Sequence, residues 1–290
     1  GHVTGVQTCA LPISIYFSDD CYVGWVPGGL MEVATVDPNL GPVFYAFDPH
    51  LNPGATNRFT RDADCLRCHG GTFVRGIPGI LARSVPTDAL GEPLLQFGSL
   101  LVDHTTPFAD RWGGWYVTGQ HGTARHRGNM FAVDDRGELR LDLEAGANLS
   151  RLPAVVDPGK HLRPTSDIVA LMVFEHHLTV HNALTRAMVQ CRRMLHYQKS
   201  LQQDLSEEVS DEPRYTSTRN VFENSAQEVL DALLFKDEAA MPEGGVSGSA
   251  DFQKDYTGQG PRTRDGLSLR GLDLKDRKST RLNSSHVALS

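Results

Sequence analysis

One long helix dominates the fold that this sequence can adopt. From Ile168 to about Leu205, apolar and weakly polar side chains recur at alternating spacings of four and three, the repeat of one continuous helix face. Residues 164–167 (Pro-Thr-Ser-Asp) directly precede this run and supply N-cap side chains. The face consists of Ala170, Phe174, His177, His181, Leu184, Met188, Cys191 and Leu195. A second, shorter helix is predicted over residues 225–235.

The first half of the chain has a different pattern. Short runs of β-branched and aromatic residues, bounded by Asp, Pro and Gly, predict strands over residues 15–17, 22–26, 42–47, 94–102 and 114–118. The turn signal at residues 134–137 (Asp-Asp-Arg-Gly) predicts a hairpin between residues 130–133 and 139–143. The expected fold class is α+β, strand-rich to about residue 150 and helical after about residue 165.

The two ends of the chain are related through their coding DNA. A DNA segment that encodes residues 3–13 encodes residues 276–286, residue for residue, when it is read on the opposite strand in a shifted frame. The segment resembles a sequencing-library adapter, so we interpret residues 1–13 and 276–290 as adapter-derived scars. We expect residues 14–240 to form a single domain, residues 241–275 to form an irregular tail, and the natural protein to continue beyond both ends.

Charge and hydropathy narrow the possible partners. The formal net charge of −7 argues against non-specific binding to nucleic acid, which requires clustered positive charge. No run approaches the roughly 20 uncharged apolar residues of a membrane-spanning helix. The longest apolar stretch, residues 168–174, stops at Glu175-His176-His177. We therefore expect neither a nucleic-acid partner nor a transmembrane segment.

The residues that carry chemistry are Cys65-Leu66-Arg67-Cys68-His69. The spacing C-x-x-C-H is typical of c-type haem attachment. Two thiols three residues apart can each add to one vinyl group of the same porphyrin, and the adjoining histidine then supplies an axial imidazole to the iron. Gly70 and Gly71 leave no bulk where the edge of the macrocycle would lie. The sequence predicts one haem c, with His69 as its proximal ligand.

Three other interpretations of the motif remain open. A structural zinc site needs about four ligands, and no second C-x-x-C is present, although Cys191 and histidines of the long helix could contribute. A redox dithiol of the thioredoxin kind is expected in a βαβ context, whereas loops surround this motif. A structural disulfide would close a very small loop and gain little entropic stabilisation.

The second axial ligand is expected to be an imidazole or a thioether. We predict His181 because it interrupts an apolar helix face, where a buried imidazole needs a strong partner. His126 is the runner-up, His121 is a lesser candidate, and His177 is another that could instead hold a haem propionate. The wider set of candidates is His104, His161, His176, His196, Met130, Met172, Met188 and Met194.

Several segments together resemble a family of uncharacterised bacterial cytochrome c domain-containing proteins, common in planctomycete-like genomes. The matching residues are 22–26 (Tyr-Val-Gly-Trp-Val), the motif at 65–69, 111–122, Glu175-His176, His181-Asn182, 260–262 (Gly-Pro-Arg) and 268–270 (Ser-Leu-Arg). Such proteins often have His-Met-Gly-Asn where this chain has Arg127 after His126, so a methionine ligand at that position is not expected. The resemblance implies haem binding and no particular activity. The motif's strand-like surroundings also differ from an ordinary small class I cytochrome c.

Covalent haem implies a location and a range of functions. Bacteria attach haem c on the outer face of the inner membrane, so we expect a periplasmic or otherwise extracytoplasmic protein. The leading hypothesis is electron transfer with a periplasmic redox partner protein. The alternatives are a haem enzyme or sensor with an exchangeable sixth ligand, acting on peroxide or small gases, and a purely structural role for the haem. Whether the protein is an enzyme stays open at this point.

Overall fold

The computed structural model describes residues 14–25, 29–48, 58–88, 92–130, 132–135, 138–152, 162–163 and 165–270. The two predicted adapter scars, residues 1–13 and 276–290, lie outside these residues, as do residues 271–275 of the predicted tail and His161. Their interpretation therefore stays a prediction.

A five-stranded antiparallel sheet forms the N-terminal part, with its strands in chain order. The strands are β1 (Ser14–Phe17), β2 (Cys21–Trp25), β3 (Met31–Asp37), β4 (Gly41–Phe47) and β5 (Thr60–Arg61). β-Branched and aromatic side chains favour this pleated arrangement. The register places Tyr22 opposite Ala34 and Ala34 opposite Phe44. These three side chains share one face of the sheet, and they are buried there with Phe174 and Leu178.

Between the sheet and the long helix, the regular elements are only two to four residues long. A 3-10 turn (Ala63–Cys65) leads into the one-turn helix α1 (Leu66–His69), and a second 3-10 turn follows (Thr72–Val74). Two small hairpins come next, formed by β6 (Arg83–Ser84) with β7 (Leu100–Leu101) and by β8 (Ala132–Asp135) with β9 (Glu138–Leu141). The remaining helices are α2 (Ile168–Asp204), α3 (Thr216–Leu233) and α4 (Ala250–Gly258).

Helix α2 is the element against which both apolar clusters pack. Asp167 caps it, because its Oδ1 accepts hydrogen bonds from the backbone N–H groups of Val169 and Ala170. Its first two turns are buried on nearly all sides, with Ile168 and Val173 fully inaccessible to solvent. One cluster joins this part of α2 to the sheet, and the other joins it to residues of the 108–117 segment.

The predicted fold class, α+β, is confirmed. The structure also confirms the strands at 15–17, 22–25 and 42–47, the hairpin near residue 135, and the long helix, while residue 26 of the second predicted strand lies outside the described residues. The predicted helix face is only partly correct. Leu184 is 48% exposed, and the α2 residues of the two apolar clusters end at Leu178, before Leu184.

Four other predictions differ from the structure. Residues 114–118 are irregular apart from an isolated bridge at Thr118, because the Asn129 side chain bonds both the N–H and the C=O of Val117 where a neighbouring strand would do so. Only Leu100–Leu101 of the predicted strand at 94–102 is extended. Helix α3 begins at Thr216, nine residues earlier than 225. The tail contains α4, capped by Ser249, and β3 was not predicted.

The close approach of β4 to α2 generates a first prediction. Gly41 has φ +75°, and a Cβ there would lie 2.3 Å from Cγ2 of Thr185. Gly41→Ala should lower the free energy of unfolding by about 2–4 kcal/mol, since it combines a clash in a packed core with left-handed backbone strain. Urea denaturation measures the loss.

Gly76 provides the matched control for this substitution. Its φ is +72°, and no atom lies within 4 Å of the position that a Cβ would occupy. Gly76→Ala should therefore show only the backbone cost, about 1–2 kcal/mol. Equal losses for the two variants would show that Thr185 does not restrict position 41.

Candidate functional site

The turn that carries the two motif cysteines is set by local hydrogen bonds. Asp62 Oδ1 accepts from the backbone N–H of Asp64 at 2.8 Å, which starts the 3-10 turn that continues into α1. Cys65 and Cys68 are both free thiols. Cys65 is partly buried at the margin of the cluster that contains Tyr22 and Phe44, whereas Cys68 is exposed. Both thiols therefore lie one turn apart at the surface, with Cys65 nearer the core.

His69 is held in one tautomer by a single hydrogen bond. Its Nδ1 lies 2.9 Å from the carbonyl oxygen of Gly79. A carbonyl oxygen only accepts, so Nδ1 carries the proton and Nε2 keeps its lone pair. The ring lies on Phe44, with ring centroids 4.5 Å apart. Metal-binding imidazoles in proteins are commonly oriented by a hydrogen bond of this kind, made by the ring nitrogen that does not bind the metal.

Electrostatics at the motif favour a neutral imidazole and a neutral thiol. Burial lowers the pKa of His69, although the Gly79 carbonyl and Glu32 act in the opposite direction. Burial raises the pKa of Cys65, and the nearby carboxylates of Asp62 and Glu32 raise it further. A catalytic dithiol needs a thiol whose pKa is lowered toward neutrality. The environment of Cys65 therefore argues against the redox-dithiol interpretation.

The loop after the motif is fastened to α2. The backbone N–H of Gly79 donates to the carbonyl oxygen of His69 at 2.8 Å. The next residue, Ile80, is bonded through both its N–H and its C=O to the side chain of Asn182. No sequence pattern assigned a role to Gly79 or Asn182. Loops were expected around the motif, but nothing in the local sequence indicated which residue would hold the loop that follows it.

The side chain of His181, the predicted distal ligand on α2, packs against strand β2. Its Nδ1 is 2.8 Å from the hydroxyl of Tyr22, and the two rings meet edge to face. Burial lowers the pKa of His181, while Asp20 and Asp19 in the β1–β2 turn raise it. Because neighbouring strands lie about 4.8 Å apart, the backbone of Tyr22 is roughly 10 Å from that of Phe44, the residue under His69. His181 and His69 thus pack on the same sheet face, on strands two apart.

His177, one turn earlier on α2, faces the edge of the sheet. Its ring meets Phe17 of β1 edge to face at 5.7 Å and lies 6.2 Å from the ring of His181. The structure therefore places His177 farther along the sheet, on the side away from Phe44 and β4. Its proposed contact with a haem propionate stays a prediction.

His121 and His126 lie in a different part of the core, beside Phe108 and Trp112. His121 is 1% exposed and both its ring nitrogens are bonded, Nδ1 to the carbonyl of Ala124 and Nε2 to the N–H of Asn148. An imidazole satisfied in this way has no lone pair left for a metal ion.

His126 is also buried, and its protonation is fixed by the backbone. Its Nδ1 accepts from the N–H of Gly128, so the proton lies on Nε2, which has no hydrogen-bond acceptor in the described structure. The ring meets that of Trp112 edge to face at 5.0 Å. Burial, followed by the charges of His121 and Arg125, lowers the pKa of His126 to about 3. This side chain therefore stays neutral at physiological pH.

A buried ion pair joins α2 to the 104–112 segment. Glu175 is 2% exposed and Arg111 is 4% exposed, and Arg111 Nη1 donates to Glu175 Oε2 at 2.9 Å. The other oxygen, Oε1, accepts from the indole N–H of Trp112. Arg111 also donates to the carbonyl oxygens of Thr106 and His104. Burial raises the pKa of Glu175 to about 7, against the opposing effect of Arg111.

Among the described residues, no group of three or more His, Cys, Asp and Glu side chains is arranged to hold a metal ion, so no complete zinc ligand set accompanies Cys65 and Cys68 there. Within the same residues, no helix has both the length and the apolar character that crossing a membrane requires.

Comparisons with known proteins supply no relative. No protein-family model, no curated protein and no solved structure matches the chain. The resemblance to bacterial cytochrome c domain-containing proteins therefore rests on the residues that carry it.

The buried ion pair generates a second prediction. Arg111→Met should lower the free energy of unfolding by about 3–5 kcal/mol at pH 8, because it leaves the Glu175 carboxylate buried without its partner. The loss should shrink toward pH 5.5. Removing Arg111 raises the folded-state pKa of Glu175 further above its ordinary value of 4.5 than in wild type. The variant therefore loses more stability than wild type as the pH rises from 5.5 to 8. Urea denaturation at the two pH values tests both statements.

The exposed pair of Arg125 and Glu144 supplies the comparison. Their side chains are 29% and 72% accessible, and such pairs contribute little to stability. Arg125→Met should therefore change stability only slightly at either pH. An equally small effect of Arg111→Met at pH 8 would contradict the assignment of a buried, charge-paired carboxylate.

Proposed function

We propose that this chain is a c-type cytochrome domain that binds one covalent haem through Cys65 and Cys68, with His69 as the proximal iron ligand, and that it transfers electrons. The observation that supports this proposal most directly is the hydrogen bond from Nδ1–H of His69 to the Gly79 carbonyl. It leaves Nε2 as an oriented, neutral donor beside two free thiols.

The apolar side chains around the motif also suit a porphyrin. Leu66, next to Cys65, is 39% exposed, and Phe73, four residues after His69, is 64% exposed. A flat apolar macrocycle bonded to the two thiols would remove such surface from water. When bound, the haem would supply a one-electron couple at its iron. The chain would hold it covalently, orient the imidazole of His69 and keep that imidazole neutral.

The proposed setting follows from the chemistry of attachment. Bacteria join haem to C-x-x-C-H thiols outside the cytoplasm, so a periplasmic or otherwise extracytoplasmic location is proposed with the haem. The physiological partner would be a redox protein of that compartment. An acidic chain with a net charge of −7 would associate most rapidly with a partner that presents a basic surface.

One observation favours a second function, a haem sensor or enzyme with an exchangeable sixth position. Consecutive residues of a helix point about 100° apart, and Asn182 rather than His181 is directed at the motif loop. His181 reaches Tyr22 instead. Ligation by His181 would require its Nε2 to face the iron while Nδ1–H donates to the Tyr22 hydroxyl. If that geometry is not reached, the sixth position is open to a small ligand.

Covalent attachment is the third prediction. Expressed with a cytochrome c maturation system, the protein should be coloured and should keep its haem through acid–acetone extraction. Cys65→Ser and Cys68→Ser should each leave only one thioether and shift the pyridine haemochrome band, and the double variant should lose its haem on extraction. A colourless wild-type product, or haem that is wholly extracted, would refute the proposal.

The cysteines outside the motif supply the matched controls. Cys21 and Cys191 are also free thiols, at positions in β2 and α2. Cys21→Ser and Cys191→Ser should retain haem and leave the haemochrome band unchanged. Loss of haem in either control would show that the maturation assay reports folding rather than attachment.

The sixth ligand is the fourth prediction. Bis-imidazole ligation by His69 and His181 should give a low-spin spectrum without the weak near-infrared sulfur-to-iron band that methionine ligation produces. His181→Ala should convert the haem to high spin and allow carbon monoxide to bind. His126→Ala should leave it low-spin, since His126 lies in the other cluster.

Two outcomes of these spectra would contradict that assignment. If His181→Ala leaves a low-spin spectrum unchanged, another residue is the ligand and His181 is a core histidine held by Tyr22. If the wild-type reduced protein already binds carbon monoxide, the sixth position is exchangeable, and the sensor or enzyme function replaces simple electron transfer.

A further inference from the structure

The side chain of Asn182 takes the place of a strand beside the motif loop. Its Oδ1 accepts from the N–H of Ile80 at 2.9 Å, and its Nδ2 donates to the C=O of the same residue at 2.8 Å. These are the two hydrogen bonds that a neighbouring strand would make to Ile80. Here they come from one side chain, fixed on a helix of 37 residues.

Gly79 connects this contact to the motif. It pairs with His69 twice, since its N–H donates to the His69 carbonyl at 2.8 Å and its own carbonyl accepts from His69 Nδ1 at 2.9 Å. There is no room for a side chain at this position. A Cβ would lie 2.5 Å from Cγ1 of Val74 and 3.0 Å from Oδ1 of Asn182. Gly79 is therefore confined between the motif and α2, and its carbonyl points at Nδ1 of His69.

We propose that Asn182 is a positioning residue for His69, acting through Ile80 and Gly79. By fixing the peptide of Ile80, Asn182 fixes where the preceding carbonyl points, and that carbonyl selects the Nδ1–H tautomer of His69. The inference deepens the proposed function and rests on it only where the haem iron is concerned. The tautomer of His69 is a property of the chain without haem.

The chemical consequence concerns the strength of the axial imidazole. A hydrogen bond from Nδ1–H to a well-placed acceptor makes Nε2 a stronger donor. A stronger axial donor stabilises the ferric state relative to the ferrous state, which lowers the reduction potential. Loosening the Gly79 carbonyl weakens this hydrogen bond. Loss of the Asn182 side chain is therefore expected to raise the potential of the haem protein.

Asn129 provides a matched control elsewhere in the fold. Its side chain also bonds both backbone groups of one residue, Val117, at 2.8 and 2.6 Å, and it donates to the carbonyl of Gly146. It is a buried asparagine that replaces a strand in the same way. No hydrogen bond joins Asn129 to the motif within the described residues. Asn129→Ala should therefore lower stability without affecting His69.

The experiment compares Asn182→Ala, Asn182→Asp and Asn129→Ala. In the haem-free proteins, nitrogen-15 NMR of the imidazole should show a single Nδ1–H tautomer for His69 in wild type and in Asn129→Ala. Asn182→Ala should show a mixture with the Nε2–H tautomer. Asn182→Asp keeps the acceptor for the Ile80 N–H and loses the donor to its C=O, so it should fall between them.

Potentiometric titration of the haem-loaded proteins gives the second readout. The midpoint potential should shift upward in Asn182→Ala, shift upward by less in Asn182→Asp, and stay at the wild-type value in Asn129→Ala. Unchanged His69 tautomer and unchanged potential in both Asn182 variants would overturn the proposal and leave Asn182 with a structural role. If Asn182→Ala does not fold, Asn182→Asp decides by the same two measurements.

The two readouts separate this inference from the proposed function. If wild type binds no haem covalently, the cytochrome function fails, yet the tautomer populations still decide whether Asn182 orients His69. If haem binds and the tautomer is insensitive to Asn182, the function stands and the inference fails.

Discussion

The Glu175 carboxylate is placed where water does not reach, in the middle of the helix on which both apolar clusters pack. A charge in that position destabilises the fold unless strong partners surround it. Arg111 and Trp112, adjacent in the chain, supply those partners. Arg111 also donates hydrogen bonds to the carbonyl oxygens of His104 and Thr106. The course of the 104–112 segment is thus determined by one carboxylate on α2.

The motif turn depends on α2 for a different reason. Neither the 3-10 turn Ala63–Cys65 nor α1 (Leu66–His69) contains a buried residue, so the motif has no core of its own. Its position comes from the packing of His69 on Phe44 and from the attachment of Ile80 to Asn182. Helix α2 therefore carries both Glu175, whose ion pair orders residues 104–112, and Asn182, whose amide holds the loop after the motif.

Local patterns in the sequence predicted most of the regular structure. The periodicity and the Asp167 cap predicted α2, and the strand signals predicted three of the first four strands. Contacts between distant residues could not be obtained in this way. Asn129 replaces a strand at Val117, and Tyr22 bonds His181 across 159 positions of sequence. The sequence around an asparagine or a tyrosine does not indicate which distant residue its side chain will bond.

The attachment of Ile80 to Asn182 spans 102 positions of sequence, whereas the Asp62 cap of the motif turn spans two. These separations imply an order of events during folding, because contacts between distant segments form later than local ones. The turn that presents Cys65 and Cys68 can form as soon as its own residues are available. The orientation of His69 has to wait until α2 has docked. A nascent chain would thus offer its thiols first and complete its axial geometry last.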